Sequence, residues 1–110
     1  MKLPNHESAI IDERKLRDYL LSPSHPVGRF KAAFFRRLGF GPETADRLRV
    51  ALLAIASGND VADQEATIHG RKYLARGILS GPRGESAEVV SVWFLPTGSD
   101  RPHLVTVYPR

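Results

Sequence analysis

The chain has 110 residues, of which 42% are hydrophobic and 25% charged, and its formal net charge is +4. This composition excludes a disordered chain, and no apolar run approaches the roughly 18 residues that a membrane-spanning helix needs. The chain has no cysteine, which excludes disulfides, thiolate zinc sites and cysteine nucleophiles. Without a secretory signal, we expect one cytoplasmic domain over residues 1–110 with no membrane partner.

Three amphipathic helices are predicted in the first half of the chain, over about residues 12–57. Asp12 is a favourable N-cap for the first helix, and the proline-rich segment that follows ends it. The second helix is expected to begin at Pro26 or Val27. The third begins at Pro42, since proline is favourable in the first turn of a helix.

The second predicted helix has a single apolar stripe. Phe30, Phe34 and Leu38 are spaced four residues apart, which places them on one face of a helix. We therefore expect all three side chains to be buried together. Gly39 follows and is a natural residue to end the helix.

Extended segments are predicted in the second half, over about residues 62–109. The runs at 65–68 and 72–79 favour short strands, and the clearest strands are Ala87–Leu95 and Leu104–Tyr108. Short turns between them indicate an antiparallel arrangement. Helices followed by strands predict an α+β fold in which N-terminal helices pack on one face of a C-terminal antiparallel sheet of about four strands.

The alternation along the third strand predicts two different faces. Val90, Val92 and Phe94 point to one side, while Ser91 and Trp93 point to the other. Helices cover one face of such a sheet and leave the second face open. Trp93 is then either a core residue or part of a partly exposed concave face that contacts substrate.

The positive charge is concentrated in residues 29–49. Six basic residues in this segment face only Glu43 and Asp46. Such a patch attracts phosphate groups or an acidic protein surface. A solvated helix face remains the alternative interpretation.

The segment from Ser24 to Lys31 has the residues that catalysis would need. Pro26 keeps His25 outside the helix, where the free N–H groups of the first turn favour bound anions. Gly28 would let a ligand approach the backbone closely, and Arg29 would add charge. A neutral imidazole at this position is suited to act as a general base.

These residues suggest metal-independent cleavage of RNA. His25 would take the proton from a ribose 2′-hydroxyl, and Lys31 or Arg29 would stabilise the charge that develops on the phosphate. Thr106 and Tyr108 lie on one face of the last strand and would supply hydroxyl donors. An alternative is that His25 and Pro26 merely form a turn at the start of the helix. The four histidines have no ligand spacing, so no metal site and no cofactor are expected.

A second group of residues is a candidate for substrate binding. Arg71 and Tyr73 pair a basic and an aromatic side chain at the start of a strand, as in surfaces that hold single-stranded RNA. Trp93 is included as an aromatic residue on the sheet. A simple turn followed by a strand explains the same residues equally well.

The ordered motifs of the chain resemble a bacterial domain-of-unknown-function family, number six-eight-eight-three. The motifs extend over nearly the whole chain. They are Lys2–Asn5, Lys15–Pro23, His25–Arg29 with Lys31, Leu38–Phe40, Gly70 with Tyr73, Gly81-Pro82 with Gly84, Trp93, and Pro102–Thr106 with Tyr108. The resemblance implies a small bacterial domain whose activity is not established.

The layout is also similar to the barnase, colicin-nuclease and RelE-like ribonuclease toxins. This resemblance implies that His25, Lys31, Thr106 and Tyr108 occupy the matching site positions. The chain differs from many such toxins in having no second histidine near His25, which leaves the general acid open. Tyr73 and Tyr108 are candidates, although the ordinary pKa of tyrosine is about 10.

Two functions therefore follow as hypotheses. The first is a metal-independent ribonuclease, as the toxin of a bacterial toxin–antitoxin or contact-toxin system, with RNA as substrate and a small acidic antitoxin or immunity protein as partner. The second is a non-catalytic binding module whose basic helices dock an acidic protein or nucleic acid. The position of His25 relative to Tyr108 distinguishes them.

Overall fold

A computed structural model describes all residues from 1 to 110, with the helices before the strands in the chain. The two α-helices are α1 (Arg29–Arg37) and α2 (Ala45–Gly58). The four strands are β1 (Val61–Thr67), β2 (Gly70–Ser80), β3 (Ser86–Pro96) and β4 (His103–Pro109). The predicted α+β class is confirmed.

The chain has three shorter helical segments, two before α1 and one between α1 and α2. They are the 3-10 turns His6–Ser8 and Pro42–Thr44 and the π-helical segment Lys15–Leu20. Asp12 accepts a hydrogen bond from the Arg14 amide at 2.8 Å, as expected of a residue at a helix start. Helix α1 begins later than the predicted Pro26 or Val27, because a turn closed by the His25 side chain occupies those residues.

The sheet is an antiparallel meander in the order β1-β2-β3-β4. Strand β3 pairs with β2 along its whole length, from Gly70 opposite Pro96 to Ser80 opposite Ser86. Pairing of β3 with β4 shifts by one residue after Val92. All four strands are longer than predicted, because neighbouring strands continue the ladder of backbone hydrogen bonds beyond the apolar runs, but β1 ends at Thr67 and Ile68 lies in the turn.

The helices pack on the sheet face that carries Trp93. The core cluster of 21 residues combines apolar side chains of α1 and α2 with Tyr73, Leu79 and Val107 of the sheet. Val90 and Val92 point to the opposite face, and they are buried by their neighbours without belonging to that cluster. The predicted alternation of β3 is therefore confirmed. No helix of the chain has the length and apolar character to cross a lipid bilayer.

One side chain of the predicted α1 stripe is not buried. Phe34 and Leu38 lie in the core, but Phe30 is 68% exposed. Its ring lies 4.6 Å from the guanidinium of Arg29. The prediction that Phe30 shares the buried face is wrong, because no other element covers the side of the first turn of α1 on which Phe30 lies.

Glu13 joins the first helical segment to α2. Its carboxylate accepts a hydrogen bond from Arg17 at 2.6 Å and forms an ion pair with Arg49 of α2. The hydrogen bond from Arg17, assisted by Arg49, lowers the pKa of Glu13 below its ordinary value. The ionised form of Glu13 is therefore the one that stabilises this junction.

Replacing Glu13 by glutamine is expected to destabilise the protein near neutral pH and to have less effect in acid. The contribution of the carboxylate is present above the pKa of the unfolded chain, and it is lost as the pH falls through the lower pKa of the folded protein. Urea unfolding of the wild type and Glu13→Gln over a pH series measures the difference. Glu43→Gln, which removes a carboxylate without an ion pair, is the control; the same loss for Glu13→Gln at every pH would contradict the expectation.

Candidate functional site

Lys31 brings α1 and β4 together. Its ammonium donates a hydrogen bond to the Val107 carbonyl at 3.2 Å and lies 5.8 Å from the centre of the Tyr108 ring. The side chain is half-buried, whereas Tyr108 is 37% exposed. The structure thus places a cation beside the last strand, next to a tyrosine that is partly exposed to solvent.

Thr106 lies two residues before Tyr108 and on the same face of β4. The two side chains project beside Val92 and Val90 of β3, on the face opposite the core. The Thr106 hydroxyl is buried and has no hydrogen-bond partner. Buried polar atoms are nearly always paired, so this hydroxyl is an exception, and a ligand would reach it only after the neighbouring side chains move.

The imidazole of His25 caps the turn that leads into α1. Nδ1 accepts hydrogen bonds from the Val27 amide at 3.0 Å and the Gly28 amide at 2.9 Å. The ring also packs edge-on against Tyr19, with 5.0 Å between the ring centres. Two N–H donors directed at Nδ1 mean that this nitrogen carries no proton, so the neutral ring carries its proton on Nε2.

This geometry disagrees with the prediction that His25 is a general base. Its only free ring nitrogen, Nε2, is a hydrogen-bond donor in the neutral form, whereas a base needs a free lone pair. His25 also opens into a cleft of about 660 Å³ to which β4 contributes no residue. The cleft is lined by Asp12, Arg14, Lys15, Asp18, Tyr19, His25 and Val27.

Gly28 does not offer its backbone to a ligand. It is buried against the π-helical segment, and an added Cβ would lie 2.0 Å from the carbonyl oxygen of Tyr19. Close packing of two segments therefore requires glycine here. Arg29 is exposed and donates a hydrogen bond to the Pro26 carbonyl at 2.9 Å, so it stays available at the surface.

Two further predicted binding residues lie away from Lys31, Thr106 and Tyr108. Arg71 and Tyr73 line a separate cleft of about 350 Å³ between the β1–β2 turn and the loop after β3. Tyr73 is only 4% exposed. Arg71 is exposed, and its guanidinium donates to the Gln64 side chain at 3.3 Å. Arg71 is thus the more accessible of the two.

Trp93 is a core residue and has no exposed surface. Its indole N–H donates to the Ser91 hydroxyl at 2.9 Å, and Ser91 donates to the Ala75 carbonyl at 3.0 Å. The chain of hydrogen bonds satisfies both polar groups inside the core. The prediction that Trp93 contacts substrate on an open face has no geometric support, because the tryptophan faces the helices.

The basic patch over residues 29–49 has fewer unpaired cations than the sequence suggests. Arg49 forms ion pairs with Glu13 and Asp46, which reduces its charge at the surface. Helix α1 has no acidic residue, and none of its cations forms a salt bridge. Within residues 29–49 the cations without a salt bridge are therefore the four of α1 and Arg47 of α2. No three histidine, aspartate or glutamate side chains gather in a group that could hold a metal ion.

Comparison with known proteins gives a family and a shared fold. The model of the family described as Domain of unknown function (DUF6883) matches residues 2–110. A solved chain of the contact-dependent growth inhibition toxin - immunity protein complex from Klebsiella pneumoniae 342 superposes with a TM-score of 0.74 and 19% identity, over 98% of each chain. No curated protein matches the sequence. At this identity the solved structure establishes the common fold.

Proposed function

The chain belongs to the DUF6883 family, and we propose that it is the RNA-cleaving toxin of a toxin–immunity pair. The similarity to a chain of a growth-inhibition toxin–immunity complex over 98% of both chains supports a role in such a pair. The net charge of +4 favours the component that binds RNA, since the RNA backbone is anionic. Residues 1–110 would act as one domain, because the core cluster extends from Leu3 to Val107. We propose action in the cytoplasm, since a fold without cysteine needs no oxidising compartment.

The group formed by Lys31, Thr106 and Tyr108 is the observation on which this proposal depends. It combines a cation, a half-exposed phenol and an unpartnered hydroxyl at one strand. In RNA cleavage the 2′-hydroxyl gives its proton to water and attacks phosphorus to form a 2′,3′-cyclic phosphate, while the bond from phosphorus to the 5′-oxygen breaks and the 5′-oxygen takes a proton from water. Negative charge grows on the non-bridging oxygens in the transition state, so donors fixed in advance lower the barrier.

Each residue of the site would have its own role in this reaction. Lys31 would hold a non-bridging phosphate oxygen and stabilise the developing charge, with the Tyr108 hydroxyl as a second donor. Thr106 would donate a hydrogen bond to the phosphate once the side chains that bury its hydroxyl move. His25 would contribute through Nε2–H, as a donor that positions the RNA rather than as the base. Arg71 lies in a separate cleft, so it would contact only a phosphate several nucleotides away from the cleaved bond.

Cleavage of a fluorescently labelled single-stranded RNA by the purified protein tests the proposal. Lys31→Ala is expected to lower the rate by about 100-fold or more, the size of effect seen when one donor to transition-state charge is removed. Tyr108→Phe should reduce the rate less, because it removes one hydroxyl and keeps the ring. His25→Ala should change substrate affinity more than the maximal rate.

Lys2→Ala is the matched control, because this lysine interacts with Gly58 and Asp60 and not with β4. It should retain wild-type activity. A wild-type protein that leaves the RNA intact, or Lys31→Ala that cleaves as fast as the wild type, would exclude this function.

A second candidate is the non-catalytic binding module. It is favoured by the cleft at His25, to which Tyr108 and the rest of β4 contribute no residue, by the occupied Nδ1 of His25 and by the cations on α1 that form no ion pair. Such a module would bind its partner in a salt-dependent manner, and binding would survive His25→Ala. RNA that stays intact with the wild-type protein, together with retained partner binding, would favour this candidate.

A further inference from the structure

The outward face of α1 combines arginine with an exposed aromatic ring. The residues that point away from the core are Arg29, Phe30, Ala33, Arg36 and Arg37. At 3.6 residues per turn they occupy an arc of about 120° on the helix surface. The buried side chains of α1 lie on the other side, at Ala32, Phe34 and Phe35. This outward face is therefore one continuous surface, and we refer to it as the α1 face.

The α1 face carries positive charge that nothing in the chain neutralises. Arg29, Arg36 and Arg37 form no salt bridge, although Arg49 on the neighbouring helix forms two. Two of the guanidinium groups lie over aromatic rings, Arg29 at 4.6 Å from Phe30 and Arg37 at 5.9 Å from Phe34. These contacts restrict the arginines without removing their charge. The face is thus prepared to bind carboxylates.

Phe30 is the apolar centre of this surface. It is 68% exposed, and Val27, in the preceding turn, is 59% exposed. Leaving two neighbouring apolar side chains in water has a cost in free energy that a bound partner removes. Aromatic and arginine residues are also the types that contribute most to the energy of protein interfaces.

We propose that the α1 face docks an acidic protein partner that receives Phe30 in an apolar pocket and pairs carboxylates with Arg36 and Arg37. The inference rests on the proposed partnership with an immunity protein, but it does not require RNA cleavage. A second copy of this chain is disfavoured as partner, because two such faces would bring arginines together. RNA is disfavoured because Lys31, which is proposed to hold the phosphate, lies about 120–140° around α1 from Arg36 and Arg37, so RNA bound at Lys31 does not occupy the α1 face.

Selection of binders from a phage-displayed library of random peptides tests the proposal on the full chain. We expect the selected sequences to place acidic residues on both sides of an apolar residue. Binding of a selected peptide should weaken by about tenfold or more in Phe30→Ala and in the double variant Arg36→Ala/Arg37→Ala. Both changes lie on the surface, so circular dichroism should show an unchanged fold.

Val50→Ala and Arg47→Ala are matched controls on α2. Val50 is 66% exposed and Arg47 is an exposed cation without an ion pair, so these variants truncate an exposed apolar side chain and remove an unpaired cation on another helix. They should bind the selected peptide as well as the wild type. Peptides without acidic residues, or equal affinity of the wild type and Phe30→Ala, would overturn the proposal.

Binding of a single-stranded RNA oligonucleotide to the same variants distinguishes an acidic protein partner from RNA as the ligand of the α1 face. If Phe30→Ala weakens RNA binding as much as peptide binding, the α1 face is an RNA surface and the proposal fails. Failure of the ribonuclease proposal would show in the RNA cleavage assay and not in peptide binding. Lys31→Ala should leave peptide binding unchanged, while Phe30→Ala should leave RNA cleavage unchanged.

Discussion

Replacing Trp93 by alanine is expected to lower the free energy of unfolding by about 3–5 kcal/mol, the usual cost of removing a buried tryptophan or phenylalanine. The side chain has no exposed surface and lies where the sheet meets the helices. The substitution would leave a cavity and would remove the hydrogen-bond donor that faces Ser91. Urea unfolding followed by circular dichroism measures the effect, since the variant lacks the only tryptophan of the chain.

Trp93→Phe separates the two contributions to this loss. Phenylalanine fills most of the volume but cannot donate to Ser91, so it should cost clearly less than alanine. Ile78→Ala is the surface control, because Ile78 is 61% exposed on β2. A loss below about 1 kcal/mol for Trp93→Ala would mean that the indole is not part of the core.

The second large effect is expected for Gly28→Ala, which should destabilise the protein by at least about 2 kcal/mol. The added methyl carbon would lie 2.0 Å from the carbonyl oxygen of Tyr19, well inside van der Waals contact. The backbone must then move apart at the junction between the π-helical segment and α1. The His25 cap, which accepts a hydrogen bond from the Gly28 amide, would be strained by the same movement.

Gly58→Ala tests whether this loss depends on the site. A Cβ at Gly58, the last residue of α2, meets no atom within 4 Å. Alanine there should be neutral or slightly stabilising, because it reduces the entropy of the unfolded chain. Thermal unfolding of both variants by circular dichroism gives the comparison. If Gly28→Ala is as stable as Gly58→Ala, the close packing against Tyr19 is not a constraint on the fold.

These two expectations affect how substitutions near the candidate site are interpreted. Gly28 and Trp93 were predicted to bind substrate, but each is packed inside the protein. A loss of activity in either variant would follow from unfolding rather than from a lost contact. Lys31 and Phe30 have little or no role in the core, so they report on function more directly.

Much of the fold could be predicted from local patterns in the sequence. Alternating side chains in β3 separated Val90 and Val92 from Trp93, and the structure confirms that division. The strand order follows from short turns, because neighbouring strands joined by short turns pair with each other. The ends of helices were less predictable. Helix α1 begins at Arg29, later than predicted. The His25 side-chain cap and the close contact of Gly28 with Tyr19 decide where the helix begins, and neither is visible in a local sequence pattern.

The candidate site was only partly predictable. The residue types suggested a site for binding phosphate, and the side chain of Lys31 on α1 does lie beside Tyr108 of β4. The direction of the His25 ring was not predictable, because it depends on which donors reach Nδ1 after folding. The exposure of Phe30 was missed for a related reason. Helical spacing tells which residues share a face, but not whether another element covers that face.

The sequence by itself determined the class of fold, the order of the strands and the excess of positive charge in the first half of the chain. These properties depend on periodicity, turn residues and composition, which are local. Only the tertiary structure decided that His25 closes a turn, that Trp93 is enclosed and that α1 leaves Phe30 and three arginines in solvent. Each of these depends on which distant segment packs against the residue, and that contact arises only when the chain is folded.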